Sequence, residues 1–95
     1  MAIETRITTG TTARSSTAFS IAAGATIVVG TNIDLPRGVH VTAERSFDGG
    51  ATWRAMDSGV LCSNKLNENT ISGIVTTCRL SITESDVATI VYTDE

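Results

Sequence analysis

Apolar and polar positions alternate along most of this chain, and no helix-length window carries a 3.6-residue apolar period. The longest alternation places Ile74, Thr76, Cys78, Leu80 and Ile82 on one face and Val75, Thr77, Arg79, Ser81 and Thr83 on the other. A second places Val39, Val41, Ala43 and Phe47 inward and His40, Thr42, Glu44 and Ser46 outward, with Arg45 intruding on the apolar face. That is the period of a half-buried strand. Shorter strands are expected around Phe19 and Ile21, over Thr26-Ile27-Val28-Val29, and over 52–57, 60–62 and 87–92.

Turn signals punctuate these runs: Ala23-Gly24, Gly30-Thr31-Asn32, Pro36-Arg37-Gly38, Asp48-Gly49-Gly50-Ala51 and a break at Ser58-Gly59. Residues 64–69 read as a polar loop, and Glu84-Ser85-Asp86 as a turn that could hold one helical turn capped by Thr83. A turn about every 10–14 residues is the rhythm of an antiparallel sandwich or barrel. The expected fold is all-β: a small antiparallel β-sandwich, with a β-tulip or barrel as the alternatives.

Residues 1–16 differ from the rest. They are rich in Thr, Ser and Gly, with Ile3 and Ile7 as the larger aliphatic side chains after Met1, and with Arg6 and Arg14 against Glu4. Such a segment buries too little surface to offset its own ordering entropy. The expected organisation is therefore a polar N-terminal arm, 1–16, and a β-sandwich domain, 17–95. The arm is either a frayed terminus or a segment that orders as an edge strand or against a neighbouring subunit.

Composition narrows the function. A 95-residue chain buries roughly 60–70 % of its unfolded surface, so the core is thin. Seven Lys and Arg against ten Asp and Glu give a net charge of −3, which argues against nucleic acid as a partner. No apolar run nears the roughly 20 residues of a membrane-spanning helix, and the first residues show no apolar signal core. Cys62 and Cys78 are expected as reduced, buried thiols, a bridge across a hairpin being the alternative. With His40 the one histidine, a four-ligand Cys/His metal site is not expected, and no cofactor is implied. Nucleophile-elbow, phosphate-loop and dinucleotide fingerprints are absent from the sequence, so no enzyme is expected.

One motif stands out. Ser46-Phe47-Asp48-Gly49-Gly50-Ala51-Thr52-Trp53 fits S-x-D-x-G-x-T-W throughout. It resembles the Asp-box, the hairpin motif of sialidase and other β-propeller blades, over 8 of 95 residues. The resemblance implies a structural hairpin and no catalysis. Asp48 would accept backbone N–H bonds, Gly50 would supply a positive φ, Ser46 and Thr52 would bond across the turn, and Trp53 would cover its base.

The wider layout is similar to small virion proteins of tailed bacteriophages, such as head-decoration (cement) proteins. The likeness lies in a Thr/Gly arm followed by short strands around 44–53 and around Cys78-Arg79-Leu80-Ser81-Ile82. It implies a non-enzymatic protein of the virion that bridges subunits of the major capsid protein or other virion subunits, as a homo-oligomer. Ile3, Arg6, Ile7, Arg14, Arg45 and Arg79 are the interface candidates. Arginine outnumbers lysine six to one, and planar guanidinium groups suit interfaces. A neck or tail component, or a small carbohydrate- or receptor-binding module, is the alternative.

Overall fold

Val, Ile and Thr dominate the alternating segments, and their stiff β-branched side chains suit a pleated, half-buried surface. A computed structural model describes residues 3–21, 25–72, 75–85 and 87–94, the side chains of 57–59, 75 and 76 excepted. These residues form β1 (Ile3–Gly10), β2 (Arg14–Ser15), β3 (Phe19–Ile21), β4 (Thr26–Thr31) and β5 (Val41–Arg45). There follow β6 (Arg54–Cys62), β7 (Glu68–Ser72), β8 (Val75–Ile82) and β9 (Thr89–Asp94). Two antiparallel sheets result. One has the order β1-β9-β4-β7; the other runs β2-β8-β5-β6, with β3 also paired to β8. The all-β sandwich expected from the alternation is the observed fold.

The core lies between the sheets. Ile7, Ile27, Val29, Ile71 and Val91 of the four-stranded sheet meet Ile21, Val41, Ala43, Leu61, Leu80 and Ile82 of the five-stranded one. Leu35 and Val39, from the β4–β5 connection, join the same cluster. β9 shows how the sequence sets this up. Thr89, Val91 and Thr93 are buried, while Ile90, Tyr92 and Asp94 between them are half-buried on the outer face.

The N-terminal segment is built into this sandwich over its described residues. β1 pairs with β9 from Ile3 opposite Asp94 to Gly10 opposite Thr89 and forms an edge of the four-stranded sheet. Ile7 is 3 % exposed and belongs to the core. The chain then crosses, and β2 and β3 pair with β8 of the other sheet. The Arg14 guanidinium fastens the crossing by donating to the carbonyls of Thr12 (2.7 Å), Thr8 (2.8 Å) and Thr89 (2.9 Å). Buried Ser16 donates its N–H to Leu80 O and accepts the Leu80 N–H on Oγ. Backbone pairing thus supplies what few apolar side chains could not.

Other local expectations change. Ser58-Gly59 does not end a strand: β6 runs through, and Thr42 to Glu44 on β5 faces Ala55 to Val60, so the extra residues form a bulge. Residues 64–69 are not all loop, because Glu68 and Asn69 begin β7, whose Ile71 is 2 % exposed. Thr83 caps no helix among the described residues; its hydroxyl and N–H engage the His40 N–H and carbonyl instead. Phe47, expected inward, is 77 % exposed, because β5 ends at Arg45 and its alternation ends there too. The turn at Ala23-Gly24 lies outside the described residues, as do Ile74 and Asp86.

Cys62 and Cys78 are buried and not joined in a disulfide. They sit on the two strands flanking β5, opposite Val41 and Arg45 respectively. Four residues along β5 and two strand spacings separate them, about 13 Å by about 9.5 Å. A disulfide spans roughly 4.4–6.8 Å between Cα atoms. A hairpin bridge is ruled out by this register.

Gly30 is required by a close approach. It sits opposite Tyr92, whose ring lies across it, and a Cβ there would come within 2.6 Å of Cζ and 2.7 Å of Cε1. Gly30→Ala is expected to cost about 1–3 kcal/mol through this overlap, lowering Tm by roughly 4–8 °C per kcal/mol. In a Tyr92→Ala background the same change should be nearly free. Thermal melts of the four proteins measure this, and equal penalties in both backgrounds would show that the ring does not set the requirement.

Candidate functional site

The hairpin between β5 and β6 is a closed hydrogen-bond system. Ser46 Oγ donates to Asp48 Oδ1 at 2.7 Å and accepts the N–H groups of Asp48 (3.3 Å) and Gly50 (2.8 Å). Asp48 Oδ1 also accepts the Thr52 N–H at 2.8 Å. Gly49 and Gly50 take φ of 74° and 103°, so both glycines supply the left-handed backbone expected of Gly50 alone. The Ser46 hydroxyl bonds to Asp48 where a bond across to Thr52 was expected, and Asp48 makes the link to Thr52. The Ser46 hydroxyl first, then Thr52, holds the Asp48 carboxyl down from 3.8 to about 2. Trp53 is half-buried, and the Arg79 guanidinium stands over its ring at 4.4 Å.

The candidate interface arginines mostly turn to the chain itself. Arg79 Nε donates to Glu44 Oε1 at 2.9 Å, across the β5–β8 pair. The Ser81 hydroxyl first, and then Arg79, keeps the Glu44 carboxyl below its ordinary value against the opposing effect of burial. Arg6 Nε donates to buried Thr93 Oγ1 at 2.9 Å, and its guanidinium stacks on Phe19 at 4.1 Å, so Arg6 ties the two sheets together. Arg14 holds the crossing and Ile7 fills the core. Arg6, Arg14, Arg79 and Ile7 therefore do structural work inside this fold. Ile3, 71 % exposed, stays at the surface, while half-buried Arg45 stacks at 4.7 Å on exposed Phe47.

A surface that the alternation did not single out lies on the outer face of the four-stranded sheet. Ile3, Val28, Ile90 and Tyr92 line a hollow of about 430 Å³, with Glu68 and Asp94 among its walls. Tyr92 lies against the backbone at Gly30 and supplies its floor. The signal was present in Ile90-Val91-Tyr92, where apolar groups occupy both faces of one strand. A strand that is polar on its outer face would not carry them. No Arg or Lys lines the hollow among the described residues, and Asp94 Oδ1 is shielded from solvent without a hydrogen-bond partner among them.

No family model, no curated protein and no solved structure matches this chain. Among the described residues, no three His, Cys, Asp or Glu side chains gather where a metal ion could be held. Burial, and to a smaller degree the charge of Glu68, pushes the Cys62 thiol up to about 11, where it is protonated and a poor nucleophile at neutral pH.

Two measurements follow. NMR titration of the Asp48 carboxyl should give a midpoint near 2, and the hairpin's contribution to stability should be complete above about pH 5 and lost as pH falls through that midpoint. An ordinary carboxylate midpoint would mean that the loop bonds do not persist in solution. Thiol alkylation of the native protein at pH 8 should be far slower than of the unfolded chain, and rapid native labelling of either cysteine would contradict its burial.

Proposed function

We propose that the chain is a non-enzymatic structural protein of the virion of a tailed bacteriophage, a decoration (cement) protein that stabilises the head by bridging capsid subunits. The observation that supports this most is the hollow on the outer face of the four-stranded sheet. It puts apolar area at the surface beside the open edge of β1, with Ile3 largely exposed. Apolar side chains in such a hollow would gain by being covered by another chain. The virion reading itself rests on the likeness of layout to decoration proteins.

The mechanism is added contact area. Each copy would cover apolar surface on its neighbours, at about 25 cal/mol per Å² buried. Repetition over a symmetric shell would turn modest single contacts into high avidity. The carbohydrate-binding alternative draws less support, because Arg79 already covers one face of the Trp53 ring. Deleting residues 1–16 would remove Ile7 from the core and Arg14 from its three carbonyls, so it would not be a clean test of an arm.

The direct experiment adds purified protein to expanded, undecorated shells of the encoding phage. Saturable co-sedimentation at a fixed ratio to capsid subunits, with a higher shell disruption temperature, is expected. Failure to bind shells, or binding to neck or tail particles instead, overturns the decoration reading.

A further inference from the structure

The sequence holds one Asp-Gly step, Asp48-Gly49, and no Asn-Gly step. Such a step is open to isomerisation, because a glycine amide carries no side chain to hinder attack on the carboxyl before it. The Gly49 nitrogen, having lost its proton, adds to Asp48 Cγ. The new C–N bond closes a five-membered imide while the carboxyl hydroxyl leaves and takes up a proton to become water. Water then reopens the ring. Addition at Cγ restores aspartate, and addition at the main-chain carbonyl gives isoaspartate, in which the main chain runs through Cβ and Cγ. One water is released and one is taken up, so only the connectivity changes.

Bulk does not shield this step. Asp48 and Gly49 are exposed, and nothing lies within 4 Å of where a Cβ at Gly49 would stand. Hydrogen bonds hold it instead. Asp48 Oδ1 accepts the Ser46 hydroxyl at 2.7 Å and the Thr52 N–H at 2.8 Å. Ser46 is buried, and its Oγ is fixed in turn by the Gly50 N–H at 2.8 Å. Cyclisation needs two things that this clamp opposes. The carboxyl must be protonated, so that a hydroxyl can leave, and it must turn Cγ onto the Gly49 nitrogen, releasing both donors. With the carboxyl held down to about 2 by the Ser46 hydroxyl first and then Thr52, its protonated fraction near neutrality is more than about tenfold below that of an ordinary aspartate.

We propose that Asp48-Gly49 is a latent isomerisation site that the Ser46 and Thr52 bonds keep closed. The motif guards its own backbone as well as shaping it. Isoaspartate would add an atom to the main chain of a loop in which Gly49 and Gly50 take φ of 74° and 103°, and the bonds from 46 to 50 and from 48 to 52 would lose their register. Assembly has no part in this, so it stands or falls apart from the shell-binding reading.

The test ages the purified chain in mildly acidic buffer and counts isoaspartate at position 48 by enzymatic methylation and peptide mass spectrometry. The folded wild type should form it more than about tenfold more slowly than the same chain unfolded in urea. Ser46→Ala removes the hydroxyl and should isomerise several-fold faster than wild type when folded, and at the wild-type rate in urea. Gly30→Ala weakens the fold elsewhere and leaves the clamp, so it should stay near the wild-type rate. Circular dichroism checks that each variant is folded. Where Ser46→Ala does not fold, Ser46→Cys keeps the shape and weakens the bonds. A folded wild type that isomerises as fast as the unfolded chain overturns the proposal. So does a folded Ser46 variant no faster than wild type, or a Gly30→Ala as fast as the Ser46 variant, since global opening would then set the rate.

Discussion

The crossing of the chain between the two sheets, from Gly10 to Arg14, is the constraint on which the rest of the sandwich depends. One continuous stretch closes an edge of each sheet, so the pairing of β1 with β9 and of β2 and β3 with β8 must be satisfied together. The Arg14 guanidinium reconciles them by holding three carbonyls, two from the N-terminal segment and one from β9. Hydrogen bonds from a charged donor are stronger than neutral ones, most of all the part-buried one to Thr89. In a core made of small aliphatic side chains, polar fastening at the rim substitutes for apolar bulk. Arg6, on Thr93 and Phe19, is a second tie of the same kind.

This use of arginine explains where the aromatics went. None of the four is fully buried, and the interior is filled by Val, Ile, Leu, Ala, Thr and Cys. The rings lie at edges and on outer faces instead, three of them capped by guanidinium groups. The stacks rigidify long side chains and lower the entropy they would lose on meeting a neighbour.

How much of this could be read in advance depended on how each residue is held. The alternations around 41–43 and 78–82 specified their strands because burial of one face enforces the period, and Val41, Ala43, Cys78, Leu80 and Ile82 are all buried. β1 was legible only as one of two readings of the arm, an edge strand or a frayed end, and β7 was read partly as loop, because each brings a single buried aliphatic, Ile7 or Ile71, and is held otherwise by backbone pairing. Phe47 misled because an alternation read from sequence does not announce where its strand ends. The Asp48 hairpin was legible because its bonds are local, between residues no more than four apart. The hollow was not, since it gathers Ile3, Val28, Glu68 and Ile90 from four strands whose order is a property of the topology.

The placement of Cys62 and Cys78 on opposite flanks of β5 has a consequence for durability. With their strands held in register by a shared neighbour, the two sulfurs are out of each other's reach in the folded state. Oxidant meets no exposed thiol on either strand. The folded chain thus cannot link these two thiols to each other, whatever the redox state around it.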